Sequence, residues 1–349
     1  MKERKKADLR SMEEQQMVDL AVEYGEKPFR GRQMFEWIHK KQVQDLGDMS
    51  NVPKLLLDQI SERYMVSGVR IVEKQVSARQ DAAKYLFSLA DGSLVESVWM
   101  KYHHGNSVCV SSQVGCRMGC TFCASTLTGF IRNLTAGEML SQIYEIQRET
   151  GQRVSNVIVM GMGEPLDNFD NLLCFIRLLS NEKGIRISQR NITVSTCGLV
   201  EQIRRLMEEK LQVTLAISLH APNDEIRRKT MPVAKKYSME EIFLACRDYI
   251  AYTGRRVTFE YSMIDGVNDG KAHAAELARR LKGMNCHVNL IPLNEVKERK
   301  TRRSKEENIR DFKIILEKNG INVTIRREMG SDIDAACGQL RNRFMQKGQ

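Results

Sequence analysis

Three cysteines, Cys116, Cys120 and Cys123, lie within eight residues with the spacing C-x3-C-x2-C. Thiolate sulfur is a soft ligand that suits iron–sulfur clusters, Zn²⁺ and Cu(I). A structural zinc site normally takes four ligands, and no fourth Cys or His follows here at a finger-like spacing. A cubane [4Fe–4S] cluster that is bound by three thiolates keeps one iron without a protein ligand. The spacing therefore predicts a cluster whose open iron binds a small molecule; a zinc knuckle completed by a distant residue is the alternative.

Four longer segments accompany these cysteines: SSQVGC at 111–116, MGMGEPLDN at 160–168, SLHAP at 218–222 and DIDAACGQL at 332–340. With the cysteines, they resemble the ribosomal RNA adenine methyltransferases of the radical S-adenosylmethionine superfamily. The resemblance extends from about Gly92 to Leu340, and more loosely over the N-terminal helices. In that superfamily, the open iron binds the amino and carboxyl groups of S-adenosylmethionine. The resemblance thus implies two cofactors: a [4Fe–4S] cluster held by the three cysteines, and S-adenosylmethionine, of which two molecules are used per turnover.

The resemblance also assigns roles to residues outside the cysteine motif. The residues implied in S-adenosylmethionine binding are Gly163, Glu164, Ser195, Ser218, Leu219, His220 and Asn294. Cys337 is implied as the methyl carrier, in the form of S-methylcysteine, and Cys109 as the resolving cysteine that forms a transient disulfide with it. Glu96 takes the position of a proton acceptor. From the sequence alone, Cys109 would be a buried core cysteine, Cys337 an idle loop cysteine and Glu96 a solvent-facing carboxylate.

The chemistry of adenine gives a reason for a carrier thiol. A ring carbon of adenine is electrophilic and has no lone pair, so direct polar transfer of a methyl group from a sulfonium is implausible. A methyl group bound to a thiolate can instead lose a hydrogen atom to a 5′-deoxyadenosyl radical, and the methylene radical then adds to the ring. A second thiolate must attack the first sulfur to free the product. This logic fits the paired roles that the resemblance gives to Cys337 and Cys109.

The substrate is implied by one residue beside the Gly-Glu pair. Family members that act on adenine C2 carry Gly-Glu-Pro where relatives acting on C8 tend to carry Gly-Glu-Ala, and Pro165 favours C2. The C2 group acts on an adenosine in large-subunit (23S) ribosomal RNA and on one in transfer RNA, with an external electron donor such as flavodoxin. C8 methylation is the alternative within the family. A zinc-stabilised RNA-binding protein without catalysis is the alternative of another class.

Composition sets broader limits. The chain has 349 residues, nine cysteines, a net charge of +10 and a pI near 9.1. A basic surplus favours polyanionic partners. No apolar run approaches 18 residues, and the start MKERKK lacks the apolar centre of a signal peptide. We therefore expect a cytoplasmic protein with no membrane contact, its cysteines used for metal binding or catalysis rather than a disulfide scaffold. A monomer is the default expectation.

Three regions are predicted to position these residues. Residues 1–75 are expected to form a helical accessory domain that binds RNA, with helices over 12–24 and 29–41 and a third opened by Pro53. Residues 76–106 form a β-hairpin extension with its turn at Asp91-Gly92. Residues 107–349 form the radical S-adenosylmethionine core, ending in the segment that carries the methyl-carrier cysteine.

Strand-like and helix-like patterns alternate through the core, which predicts an α/β fold with parallel strands in a partial (βα)6 barrel. The predicted strands are 108–112, 156–160, 191–195, 213–218, 256–263, 286–291 and 322–326. One predicted helix follows Thr135, which with Glu138 forms a capping box. Most of the assigned residues follow the carboxyl ends of these strands, where such folds gather their functional groups. A basic run, Lys297–Lys305, is expected to contact RNA phosphates rather than to form only a solvated loop. Arg30, Arg32, Lys40 and Lys41 form either an RNA-docking surface or a solvated face.

Overall fold

A computed structural model describes residues 6–294, 301–327, 329–330, 332–333 and 338–347. The predicted methyl carrier Cys337 and residues 297–300 of the predicted basic run lie outside the described residues. In the described part of the chain, no helix combines the length and the apolar character needed to cross a membrane.

The N-terminal region begins with a two-residue strand β1 (Ala7–Asp8), which pairs in parallel with β2 (Tyr64–Met65). Between these strands lie helices α1 (Glu14–Glu23), α2 (Pro28–His39) and α3 (Lys54–Ser61). Their starts have local causes, because a capping box closes the first turn of α1 and a proline occupies the first position of α2. All three predicted helices are therefore present.

Residues 70–76 correct the expectation that residues 1–75 are helical. They form strand β3 (Arg70–Val76), which pairs with β4 (Ala82–Ser88), and β4 pairs in turn with β5 (Leu94–Tyr102), all antiparallel. The segment RIVEKQV contains β-branched residues, which favour a strand, and β4 offers a free edge with which it can pair. These two factors make the segment a strand although helices precede it. The β4–β5 hairpin is the predicted one. Its turn contains Gly92 at φ 79°, a conformation that favours glycine.

The core adds an alternating series of strands and helices. Its strands are β6 (Gly105–Cys109), β7 (Gln113–Gly115), β8 (Phe130–Asn133), β9 (Val154–Val159), β10 (Ile192–Thr196), β11 (Thr214–Ser218), β12 (Val257–Met263), β13 (Cys286–Pro292) and β14 (Asn322–Ile325). Its helices are α4 (Ala136–Thr150), α5 (Phe169–Ser180), α6 (Val200–Glu208), α7 (Asp224–Thr230), α8 (Met239–Thr253), α9 (Lys271–Leu281), α10 (Glu306–Lys318) and α11 (Gln339–Lys347). The predicted capping box of Thr135 and Glu138 opens α4.

One ten-stranded sheet carries the site, in the order β14-β13-β12-β11-β10-β9-β6-β5-β4-β3 among the described residues. From β6 to β14 neighbouring strands are parallel, whereas β6, β5, β4 and β3 pair antiparallel. The predicted hairpin is thus continuous with the core sheet. Each parallel pair needs a crossover, and helices supply most of them, so the carboxyl ends of the parallel strands share one edge.

Candidate functional site

A cavity of about 320 Å³ opens at the carboxyl ends of the parallel strands. Its lining includes Cys109, Cys116, Cys120, Cys123, Gly163, Glu164, Ser195, Ser218, His220 and Asn294. These predicted site residues come from six separate parts of the chain, and the fold brings them to one place. Leu219 is fully buried in the core and is not part of the lining, and its backbone N–H donates to the carbonyl of Glu260 at 3.0 Å.

The cysteine loop is held by backbone hydrogen bonds at both ends. The N–H of Cys116 donates to the carbonyl of Gly129 at 3.1 Å, and that of Thr121 donates to the carbonyl of Thr230, at the end of α7, at 2.9 Å. Gly115 must be glycine, because its φ is 76° and a Cβ there would lie 1.7 Å from the carbonyl oxygen of Gly129. The loop is therefore shaped by its own sequence and by the neighbouring α7.

The donor set fits an iron–sulfur cluster. All three cysteines line the cavity, and burial raises the pKa of the Cys116 thiol to about 12 and raises that of Cys120 as well. Within the described ranges, no three His, Cys, Asp or Glu side chains converge where a single metal ion could bind. A cubane is bound differently, since each thiolate ligates its own iron. Cys116, Cys120 and Cys123 are the side chains that could hold it.

Glu164 has a fixed carboxylate at the cavity wall. One oxygen accepts from the N–H of Leu166 at 3.1 Å, and the other accepts from the N–H of Cys197 at 2.8 Å. Burial raises the pKa of this carboxyl. The preceding Gly163 has φ 104°, and a Cβ there would lie 2.6 Å from the Cβ of Gln113, so the backbone passes closer than any other residue would allow.

His220 presents one ring nitrogen to the protein. Its Nδ1 accepts from the N–H of Ser262 at 3.0 Å, and burial lowers its pKa to about 3, so the ring is neutral with its proton on Nε2. The ring contacts that of Phe122 edge-on, with 5.1 Å between centroids. The hydroxyls of Ser195 and Ser218 lie 3.3 Å apart on adjacent strands. The cavity wall therefore carries an N–H donor and two hydroxyl groups.

Comparison with known proteins identifies the family. A profile of the radical SAM superfamily matches residues 110–278, and one of the ribosomal RNA large subunit methyltransferase N-terminal domain matches residues 7–66. A protein from Lachnoclostridium phytofermentans, named probable dual-specificity RNA methyltransferase RlmN, is 56% identical over 98% of this chain and 96% of its own length. One of the same name from Clostridium tetani is 54% identical over 93% of each chain.

The chain belongs to the RlmN family of radical SAM RNA methyltransferases. The crystal structure of a radical SAM methyltransferase from Sphaerobacter thermophilus agrees, with 42% identity, a TM-score of 0.91 and coverage of 95% of this chain and 98% of that one. The family resemblance and the partial α/β barrel that the sequence predicts are both confirmed. Membership implies a [4Fe–4S] cluster and S-adenosylmethionine as cofactors.

Of two further residues in the predicted RlmN-family set, Cys109 lines the cavity and Glu96 does not. Cys109 ends β6, is 8% exposed and lines the cavity. Glu96 lies on β5 and is only 2% exposed, so the expectation that it faces solvent is wrong. Its carboxylate pairs with Lys84, whose Nζ lies 2.8 Å from Oε2, and this buried cation explains how an acid can be buried in the strand.

Sequence reasoning missed Arg227 of α7, which lies behind the cysteine loop of this RlmN-family chain. The side chain is fully buried, its Nη2 donates to the carbonyl of Cys197, and its Nε and Nη1 have no hydrogen-bond partner in the described part of the chain. Cys197 packs against Cys120. In the sequence, Arg227 stands in the polar run DEIRRKT, and no pattern distinguishes it from a surface arginine.

A second missed group lies across the cavity. Glu260 of β12 lines it, burial raises the pKa of its carboxyl, and the Nδ2 of Asn289 donates to its Oε2 at 2.9 Å. The positive charge of Arg326, also in the lining, acts in the opposite direction on that pKa. A charged residue inside the otherwise uncharged strand VTFEYSM is the signal that could have marked it.

Proposed function

We propose that this chain methylates C2 of an adenosine in 23S ribosomal RNA and of an adenosine in transfer RNA, with Cys337 as methyl carrier and Cys109 as resolving cysteine. The observation that carries the proposal is that Cys109 lines the same cavity as the three cysteines of the cluster motif. A thiol there lies beside the reacting groups. The relatives' name, dual-specificity RNA methyltransferase, supports more than one RNA substrate, and Pro165 supports C2.

When bound, the cluster and two molecules of S-adenosylmethionine per turnover would supply one methyl group and one 5′-deoxyadenosyl radical. Cys116, Cys120 and Cys123 would hold the cluster. The carboxylate of Glu164, oriented by two backbone N–H groups, can accept a hydrogen bond from an ammonium group. The hydroxyl groups of Ser195 and Ser218 and the Nε2–H of His220 supply further hydrogen bonds, with Gly163, Leu219 and Asn294 completing the proposed contacts.

The thiol groups then carry the methyl group through the reaction. The thiolate of Cys337 takes the methyl, which after loss of a hydrogen atom adds to C2 as a methylene bridge. Glu96 accepts the proton lost from C2, and the one electron that must also leave to restore the aromatic ring would pass to the cluster. The thiolate of Cys109 attacks the sulfur of Cys337, the S–C bond breaks with its electron pair on carbon, and protonation of that carbon completes the methyl group. An external thiol reductant restores the disulfide to two thiols.

RNA binding is proposed for exposed basic groups of the accessory helices and of the basic run. Arg32, Lys40 and Lys41 are exposed, as is Arg302 in the described part of the basic run. Such groups bind phosphates and release counterions, which makes binding weaker as salt rises. The target adenosine must be unstacked to enter the cavity. We propose that the chain acts as a cytoplasmic monomer and receives electrons from a donor such as flavodoxin.

Nucleoside mass spectrometry tests the function. Anaerobically reconstituted protein is incubated with S-adenosylmethionine, a reductant and either unmodified 23S ribosomal RNA or unmodified transfer RNA. The proposal predicts 2-methyladenosine in both RNAs, and none with Cys337→Ala. Cys286→Ala, which changes a buried cysteine that the proposed reaction does not use, is the control and should retain activity. Formation of 8-methyladenosine would favour the other branch of the family, and absence of any methylated product would contradict catalysis.

A further inference from the structure

The carboxylate of Glu96 binds the start of the C-terminal helix as well as Lys84. Its Oε2 accepts from the backbone N–H of Gly338 at 2.6 Å, and its Oε1 accepts from that of Arg341 at 2.6 Å. Gly338 and Arg341 are more than 240 residues away along the chain. Because Lys84 is fully buried and Glu96 nearly so, this cluster of one ammonium, one carboxylate and two N–H groups is shielded from water.

These contacts satisfy two backbone N–H groups at the start of α11. Backbone N–H groups at a helix N-terminus have no partner within the helix, and they carry the positive end of the helix dipole. The carboxylate of Glu96 on β5 supplies both a hydrogen-bond acceptor for these N–H groups and a negative charge at the positive end of the dipole. Lys84 in turn balances the charge of a carboxylate that would be costly to bury alone. Glu96 is therefore the anchor of α11, and its ion pair with Lys84 holds that anchor in place.

Three more contacts seat α11 on the loop that follows the cluster cysteines. The Nη1 of Arg341 donates to the hydroxyl of Thr128 at 2.6 Å, and the Nδ2 of Asn342 donates to the carbonyl of Ala124 at 3.1 Å. A Cβ on Gly338 would lie 2.5 Å from the backbone nitrogen of Ser125. The chain at Gly338, the residue directly after Cys337, is thus in close contact with the segment that begins at the residue after Cys123.

We propose that Lys84 and Glu96 form a latch that holds Gly338 and α11 beside the cysteine loop. Lys84 is a positioning residue that acts through Glu96. The purpose of the latch, which is to present the carrier Cys337, rests on the proposed function, whereas the latch itself does not.

The latch also restricts the proposed role of Glu96 as proton acceptor. Both lone pairs of Oε2 are engaged by Lys84 and Gly338, so a proton is received there only after one of these donors leaves.

Hydrogen exchange of the reconstituted protein, without S-adenosylmethionine or RNA, tests the latch. In Lys84→Met, peptides that cover 338–347 should exchange at least about tenfold faster than in the unchanged protein, since removing one partner of a buried pair is strongly destabilising. The rate of alkylation of Cys337 by iodoacetamide, read by peptide mass spectrometry, should rise with it. Peptides from α9 should be unchanged, which separates a local release from general unfolding.

The matched control is Lys74→Met. Lys74 lies on β3, the strand next to the one that carries Lys84, and its Nζ lies 2.6 Å from the carboxylate of Glu149. Unlike Lys84 and Glu96, both side chains of this pair are about one-third exposed. This variant should leave exchange over 338–347 and alkylation of Cys337 unchanged. If Lys84→Met fails to fold, the double variant Lys84→Met/Glu96→Gln removes both charges together and should show the same faster exchange. The latch would be overturned if Lys84→Met or the double variant folds and shows the same hydrogen exchange over 338–347 and the same alkylation rate of Cys337 as the unchanged protein.

The outcome does not depend on methylation. If the unchanged protein makes no 2-methyladenosine but Lys84→Met still exchanges faster over 338–347, the latch is supported and the proposed function is contradicted. Unchanged exchange in a protein that makes 2-methyladenosine would overturn the latch alone.

Discussion

The Nη2 of Arg227 donates to the backbone carbonyl of Cys197 at 2.5 Å, and this contact fixes a buried positive charge behind the cysteine loop. Cys197 packs directly against Cys120. A buried guanidinium carries a desolvation cost, and bound thiolates on a cluster would supply the opposite charge. Arg227 is thus suited to stabilise a negatively charged cluster from the side away from solvent.

Removal of this charge should make the cluster harder to reduce. Arg227→Met should lower the ratio of reduced to oxidised cluster about tenfold at a fixed applied potential, which corresponds to a shift of the reduction potential by about 59 mV to more negative values for one electron. Arg227→Lys should retain most of the original value, because it keeps the positive charge. Redox titration followed by electron paramagnetic resonance measures the potential in each variant.

The control for this titration is Arg205→Met, which removes an arginine that is half exposed and pairs with Asp170 at the surface. Its cluster potential should equal that of the unchanged protein. A potential in Arg227→Met that matches the control would show that this guanidinium has no electrostatic influence on the cluster.

Gly163→Ala should weaken binding of S-adenosylmethionine while leaving the cluster in place. The new methyl group meets the Cβ of Gln113 at 2.6 Å and the backbone stands at φ 104°, so the segment before Glu164 must shift. Equilibrium dialysis with labelled S-adenosylmethionine should show a Kd raised at least about tenfold, equivalent to about 1.4 kcal/mol. Iron content should be unchanged.

Gly254→Ala is the matched comparison for this variant. Gly254 also has positive φ, 67°, but nothing lies within 4 Å of its ideal Cβ, and it ends α8 away from the cavity. It carries the same kind of backbone strain without the steric contact. Equal loss of affinity in both variants would mean that Gly163 acts through general stability.

Cys109→Ala should arrest the proposed reaction after the methyl group has been joined to adenine. Without a second thiolate the sulfur of Cys337 cannot be released, so a covalent link between Cys337 and the RNA should persist. Denaturing gels with labelled RNA should show a protein–RNA band for Cys109→Ala and none for Cys109→Ala/Cys337→Ala. Cys246→Ala, a fully buried cysteine in α8, should turn over normally. Normal yields of free product from Cys109→Ala would exclude its resolving role.

A buried histidine in the accessory region predicts how stability depends on pH. Burial lowers the pKa of His39 to about 3, and its Nδ1 lies 3.0 Å from the hydroxyl of Tyr144 on α4. The unfolded chain binds a proton near pH 6.5 and the folded chain does not, so stability falls as pH decreases from 6.5 toward 3. Between pH 7 and pH 5 this one group should lower the free energy of unfolding by about 2 kcal/mol.

Urea unfolding at pH 7 and pH 5 measures this dependence. In His39→Gln, the difference in the free energy of unfolding between pH 7 and pH 5 should be smaller by about 2 kcal/mol, because glutamine does not titrate. His103→Gln, which replaces an exposed histidine, should retain it. The same pH dependence in His39→Gln as in the unchanged protein would show that other groups are responsible.

The sequence predicted those parts of the structure whose causes are local. The capping box of Thr135 and Glu138 is complete within four residues, and the hairpin turn needs only the residues around Gly92. The cysteine motif is likewise local, and the order of parallel strands follows from their alternation with helices. Residues at the carboxyl ends of these strands could therefore be expected in one cavity before their positions were known.

The features that could not be predicted depend on partners distant in the chain. Glu96 can be buried because it pairs with Lys84 and accepts hydrogen bonds from the N-terminus of α11. No sequence pattern around Glu96 indicates either contact. Arg70–Val76 is a strand because β4 offers an edge. Arg227 is buried through its contact with Cys197, and a single sequence does not connect that residue to α7.

The fate of three deuterium atoms tests the central claim most directly. The reconstituted protein is given S-adenosylmethionine labelled as CD₃ on the transferable methyl group, together with unmodified RNA. A carrier thiol with hydrogen abstraction predicts 2-methyladenosine whose methyl group holds two deuterium atoms, and 5′-deoxyadenosine that holds one. A methyl group transferred with all three deuterium atoms would contradict the account.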